Sequence, residues 1–311
     1  MTLDTLRQQI SHFLHFSVPD IPATFDTHEV VVESGYRRLR LSYQGDEGDE
    51  IPAFLFVPDG DGPFTAVLCH HQHHGQRHWG KSEVAGLVGD PLQAFGPALA
   101  QRGLIVLAPD SICFEDRRHN CQGTDVDEHD VDQHYNEMCY RLLRGDTLMR
   151  KVLSDSAQAI SLLQAHPLVD KTRVGILGHS YGGNTVLFHA ALDERIHFAC
   201  SSGAACSYRQ RFAAQTGIEM ASTIPHFAVH YDIPDLVACV APRPILLASA
   251  TEDSYAQDAA WIVQTAAEKC WQLGVQPAIV QKRHEGGHAL TQARFDEIVA
   301  WLVQTAVNST H

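Results

Sequence analysis

The sequence predicts an α/β fold: a mostly parallel central sheet that begins with antiparallel strands and carries helices on both faces. Three observations lead there. Residues 28–57 hold three short strand-like runs separated by Ser34-Gly35 and Gly45–Asp49, and turns that short join antiparallel neighbours. From residue 64 onward, apolar strand-like runs alternate with helix-like ones, the pattern of parallel strands joined by crossover helices. At 173–192 an apolar run, a glycine-rich turn and a helical stretch follow one another without a break.

The elements follow in order. Leu6, Ile10, Phe13 and Leu14 are spaced for a short amphipathic helix within an N-terminal segment, 1–27. The opening strands are His28–Glu33, Arg37–Tyr43 and Ile51–Val57. Phe64–Cys69 is a strand, Leu92–Arg102 a helix stopped by Gly103, and Leu104–Pro109 a strand of the kind buried on both faces. A helix over Asp146–Gln164 buries Leu148, Val152, Ala159, Ile160 and Leu163. After the strand entering Ser180 and its helix come a strand at His197–Ser201, a strand at Pro244–Ala250, a helix at Gln257–Leu273, a strand at Pro277–Arg283 and a closing helix at Gln292–Ala306. Two stretches break the alternation, 111–145 and 203–241. Both follow strand C-terminal ends, the edge where open α/β sheets bind ligands. They are expected to wall a site within one domain spanning 1–311, and Asn136, Glu137 and Arg144 to tie the first of them to the body.

Composition narrows the function. The formal charge is −14, which disfavours nucleic acid and anionic membrane as partners. No stretch has the length of a membrane span, and the N-terminus lacks the basic start, apolar run and cleavage site of a secretory signal. The eight cysteines show no close-paired spacing, so free buried thiols and a cytoplasmic location are expected. The N-terminal helix and the first hairpin offer surfaces for a homodimer.

The chemistry centres on Gly178-His179-Ser180-Tyr181-Gly182-Gly183. Gly-x-Ser-x-Gly between a buried strand and a helix is a sharp turn that lifts a serine hydroxyl out of the sheet. Glycines at 178 and 182 are expected because a Cβ there would strike the neighbouring strand or helix. A serine needs a base, and the base needs a carboxylate to hold its tautomer. The strand ending at Ala250 runs into Thr251-Glu252-Asp253-Ser254, where Asp253 is the expected acid and Glu252 the alternative. The next strand runs into His284-Glu285-Gly286-Gly287-His288, where His288 is the expected base and His284 its competitor. Oxyanion donors are expected from the amide of Tyr181 and from that of Gln72 or His73.

His70, His71, His73, His74 and His78 crowd one loop without the ligand frame of a zinc site, so no metal and no cofactor is expected. His71, Arg117 and Tyr231 are candidate substrate contacts. Arg117 and Arg118 have the alternative of pairing with Glu115, Asp116 or the acidic stretch 125–132.

The chain resembles the α/β-hydrolases, and within them the dienelactone-hydrolase-like and acetyl-xylan-esterase-like group. The resemblance rests on Ala66–His71, Ala100–Asp110, Arg141–Leu163, Val174–Gly183, Val240–Ala250 and Gly286–His288. It implies Ser180, Asp253 and His288 as a catalytic triad, and hydrolysis of a carboxylic ester of a small or medium substrate through an acyl-enzyme. Two positions depart from the group. Dienelactone hydrolase carries cysteine at the elbow, where this chain has Ser180. The usual His-Gly of the oxyanion loop is His71-Gln72 here. Alternatives on the same triad are an amidase, a peptidase or a C–C bond hydrolase. A further alternative is a ligand-binding fold without catalysis.

Overall fold

The computed structural model describes residues 2–73 and 75–308. The order is α1 (Leu3–Phe13), β1 (Phe25–Glu33), β2 (Tyr36–Gln44), β3 (Glu50–Pro58), β4 (Phe64–His70), α2 (Lys81–Val84), α3 (Phe95–Ala100), β5 (Ile105–Pro109), α4 (Asp130–Leu143), α5 (Leu148–Ala165), β6 (Val169–His179), α6 (Tyr181–Leu192), β7 (Phe198–Ser202), α7 (Tyr208–Ala214), α8 (Phe227–His230), α9 (Ile233–Val240), β8 (Ile245–Ala250), α10 (Ala259–Gln272), β9 (Ile279–His284) and α11 (Gln292–Asn308).

One nine-stranded sheet runs β1-β2-β3-β5-β4-β6-β7-β8-β9. β1, β2, β3 and β5 pair antiparallel, and every pair from β5–β4 to β8–β9 is parallel. This is the expected fold class. Side chains alternate across each strand, so the sheet divides the core in two. Ala66, Leu68, Val174, Ile176 and Leu247 face a core shared with α1, α5, α6, α9 and α10. Val67, Cys69, Leu177, Phe198 and Leu246 face one shared with α3 and α11. No helix among the described residues is long and apolar enough to cross a membrane. All eight cysteines are unpaired, six of them buried.

Among the boundaries that moved, three did so for evident local reasons. The single helix expected over 92–102 is a 3₁₀ turn at Pro91–Gln93 followed by α3 from Phe95. Pro97 has no N–H to donate and fits only a first helical turn. The helix expected from Asp146 starts at Leu148, because the Thr147 side chain accepts from the Arg150 amide and caps it. β4 continues one residue further, to His70, which pairs with Gly178.

α1 spends its apolar face on its own chain. Leu3, Leu6 and Ile10 are buried, and Arg7 donates to the carbonyls of Cys239 and Ala241. In the first hairpin Val30 and Val32 remain exposed.

Candidate active site

The parallel strands β4, β6, β7, β8 and β9 all end at the same edge of the sheet. At the end of β6, Ser180 sits at φ 56°, ψ −116°, a conformation that costs a non-glycine residue about 1–3 kcal/mol. Close packing enforces it. A Cβ on Gly178 would lie 2.2 Å from the Gly182 carbonyl carbon, and one on Gly182 would lie 2.6 Å from the His70 oxygen. The Ser180 amide donates to the Ser202 carbonyl (2.8 Å), and α6, buried from Tyr181 to Ala191, leads away from the turn.

His288 meets Ser180 from the loop after β9, with Nε2 2.7 Å from the serine Oγ. Its Nδ1 lies 2.9 Å from Asp253 Oδ1. A carboxylate only accepts, so Nδ1 carries the proton and the Nε2 lone pair faces the hydroxyl. Asp253 is 1% exposed, and its Oδ1 also accepts from the Tyr255 amide (2.9 Å). The His288 ring packs against Tyr255 (4.8 Å) and His179 (5.1 Å).

The two competitors lie elsewhere. Glu252 is exposed, and its backbone amide ties the loop to Gly286. His284 lies 3.0 Å from Glu297 of α11.

Ser180 and His288 open into a cavity of about 410 Å³. Tyr181 and His73 line it, as do Asn184, Gly203, Arg211, Ile218, Glu219 and Tyr255. Gln72 does not. It is buried, with its side-chain amide donating to Glu83 (3.1 Å). Burial holds the imidazole of His71 down to about 4 and that of His73 to about 3, so both rings are neutral at pH 7. Glu219 is pushed up to about 7, also by burial. Its Oε2 accepts from the Ala221 amide (2.7 Å), and its Oε1 is buried without a partner.

The three residues expected to contact substrate do not reach this cavity. Arg117 is buried and held by Asp49 (2.5 Å) and Asp155 (2.9 Å). Coulomb attraction of that strength consumes its charge. Arg118 is held by Asp130 (2.6 Å). Tyr231 packs its ring on Phe13 and Phe227. His71 lies behind the wall, donating from Nδ1 to the Gln72 carbonyl (2.7 Å) and accepting the Ser111 amide at Nε2 (3.1 Å). Its ring rests on Phe114 (4.8 Å).

The two excursions also differ. Residues 203–241 supply Gly203, Arg211, Gly217, Ile218 and Glu219 to the wall. Residues 111–145 back it from outside: Phe114 and His134 pack on Tyr181, and Ser111 Oγ meets the Tyr181 hydroxyl at 2.5 Å. In the same excursion Arg141 joins Glu47 (2.7 Å) to Glu137 and Asp146.

The clustered histidines take separate partners. His70 meets Ser156 (2.9 Å), and His78 lies near Asp130 (3.8 Å). His74 lies outside the described residues. Among the described residues, two sets of carboxylates have the spacing of a cation site, Asp46/Asp49/Asp155 and Asp110/Glu115/Asp116. Each closes on a lysine ammonium: Lys151 lies 2.6–3.0 Å from the first set and Lys81 2.5–2.7 Å from the second.

A second serine–histidine–aspartate arrangement went unseen in the sequence. Ser156 Oγ lies 2.6 Å from His189 Nδ1, and His189 Nε2 lies 3.1 Å from Asp193 Oδ2. All three residues are buried. Ser156 is 2% exposed and is not among the residues lining the cavity at Ser180, and Arg195 holds the aspartate (2.6 Å).

Sheet order, elbow and the hydrogen-bonded serine define an α/β-hydrolase fold of the esterase kind. The chain belongs to the acetyl xylan esterase (AXE1) family, whose model matches residues 20–221. It is accordingly an esterase-type hydrolase acting on carboxylic ester bonds. The match includes Ser180 and the cavity-wall residues up to Glu219, and ends before Asp253, Tyr255 and His288. YtaP of Bacillus subtilis (strain 168), named as a hydrolase, is 29% identical over 225 residues, covering 71% of this chain and 69% of the relative. A Bacteroides fragilis NCTC 9343 structure described as an acetyl xylan esterase superposes with a TM-score of 0.70 at 18% identity, over 90% of this chain and 74% of that one. A glucuronoyl esterase from Solibacter usitatus gives 0.66 at 14% identity, over 96% and 91%. At those identities the two structures speak for the fold alone.

Proposed function

We propose that Ser180 is the nucleophile, His288 its base and Asp253 the residue that orients His288. The observation that carries this is the unbroken Asp253–His288–Ser180 hydrogen-bond chain opening into the cavity. Ser180 Oγ attacks the ester carbonyl as its proton passes to His288 Nε2. The tetrahedral oxyanion is met by the backbone amides of Tyr181 and His73, the loop residue on the cavity wall. Collapse expels the alcohol, which takes the proton from His288, and leaves an acyl-Ser180. Water, deprotonated by the same imidazole, then releases the acid and restores the serine.

The substrate we infer is a small or medium acylated sugar. A 410 Å³ cavity suits a monosaccharide-sized group. Asn184, Arg211 and Glu219 offer both donors and acceptors to its hydroxyls. The names of the related esterases point the same way. The six buried free thiols support a reducing, cytoplasmic setting. The exposed valines of the first hairpin are the face a second copy would use, which sedimentation would show.

The test pairs substrates and variants. Wild-type protein should release acetate from acetylated xylose with a higher kcat/KM than from p-nitrophenyl acetate. E219Q should lose that preference while keeping its rate on the aryl ester, and S180A should lose both activities with its melt unchanged. An S180A variant that retains turnover would end the serine mechanism.

A further inference from the structure

We propose that Arg294 is a positioning residue for the reaction: a buried counter-charge to Asp253 that fixes the pH range over which His288 serves as base. This rests on the assignment of Ser180, His288 and Asp253 above.

Arg294 stands in the first turn of α11 and is 0% exposed, a rare state for a guanidinium, which is not kept buried without compensation. Its visible compensation is thin. Nη2 donates to the Ala248 carbonyl at the end of β8 (2.8 Å), and Nη1 reaches the backbone carbonyl of His288 (3.4 Å). Nε is buried without a hydrogen-bond partner. The carboxylate it faces is Asp253, with Oδ2 at 3.8 Å from Nη2. The other titratable group beside it is the Cys200 thiol, which burial pushes far up and so keeps neutral.

From the side of Asp253 the picture is complementary. Oδ1 is taken by His288 and the Tyr255 amide. Oδ2 has no hydrogen bond, and Arg294 is the cation it meets. One side chain therefore balances the buried carboxylate and also grips the carbonyl of the residue that the carboxylate orients.

Around the His288 ring stand Asp253, Ser180, His179 from β6 and Tyr255 from the loop after β8. Across the cavity are His73, Arg211 and Glu219. His73 is neutral at working pH and Glu219 is half-titrated near pH 7. Arg211 is a cation on the cavity side. Arg294 is the cation on the closed side, where its field is least screened. Without it, Asp253 presents an unopposed negative charge and the imidazole holds its blocking proton to higher pH.

The experiment is the pH profile of kcat/KM for wild type, R294M and R294K. In R294M the acid limb should move to higher pH by about one unit. R294K, which keeps the charge, should leave the limb in place. A folded R294M whose profile superimposes on wild type overturns the proposal, as does an R294K limb displaced as far as that of R294M. If R294M does not fold, R294M/D253N decides: recovery of a cooperative melt supports the pairing, and no recovery overturns it. Turnover retained in S180A would instead indict the underlying serine mechanism, so the two failures are distinguishable.

Discussion

Replacing Asp253 by Asn distinguishes the proposed triad acid from its neighbour Glu252. In the native site Oδ1 accepts two donors, His288 Nδ1 at 2.9 Å and the Tyr255 amide at 2.9 Å, while Oδ2 faces Arg294. Asn must place its NH₂ on one side or the other. Toward Oδ1 it confronts two N–H groups, so His288 keeps its proton on Nε2 and can no longer accept from Ser180. A wrong tautomer of this kind costs roughly 10⁴ in kcat, about 5.5 kcal/mol. Toward Oδ2 the amide meets a guanidinium with nothing to accept. The tautomer survives, but the charge that steadies the imidazolium is gone, worth about 1.5–3 kcal/mol, or roughly 10- to 150-fold. D253N should therefore lose between about 10-fold and about 10⁴-fold in kcat, measured on p-nitrophenyl acetate with the thermal melt recorded alongside. E252Q changes an exposed side chain and should stay within about twofold of wild type. A D253N enzyme within tenfold of wild type, or an E252Q enzyme as impaired, would refute the assignment.

Gly178→Ala should prevent the elbow from closing. Its Cβ would lie 2.2 Å from Gly182 backbone, which cannot yield, so a loss of at least about 3 kcal/mol in stability, read by denaturant melts, is expected together with loss of activity. Ser156→Ala removes the hydroxyl that joins His70 to His189. Both buried rings lose a partner and stability should fall by about 1–3 kcal/mol, whereas fluorophosphonate labelling of the folded protein should persist. Glu83 and Glu219 are both raised to about 7 by burial. The folded state thus holds protons that the unfolded chain has already lost near its ordinary value of 4.5. Their contribution to stability falls as pH rises from about 4.5 to about 7. The Tm of E83Q relative to wild type should climb over that window, and a flat difference would contradict the sign.

The elbow, and the Asp253 and His288 that join Ser180 in one hydrogen-bond chain, were legible because each is tied to a local signal: a residue type just past a strand end, in a fixed chain order. Gly178 and Gly182 announced their close packing by having no side chain. The cavity wall was not legible. Arg211 and Glu219 lie in a stretch of short helices whose course is set by tertiary packing of Phe227, Tyr208 and Leu236, and no periodicity encodes where those side chains point. Arg117 misled for a related reason. Its partners, Asp49 and Asp155, lie 68 and 38 residues away in the chain, so an arginine committed to the interior reads like one available to a ligand. His71 and Tyr231 failed alike: loop residues near a site in sequence need not face it. Arg294 gave no sign of burial, since an arginine in a first helical turn is ordinarily solvated.

Labelling with a fluorophosphonate, followed by peptide mass spectrometry, asks directly whether Ser180 is the activated serine. A single adduct is expected on the peptide containing Ser180, absent from S180A and strongly slowed in D253N. An adduct on another serine, or none on folded protein, would contradict that assignment.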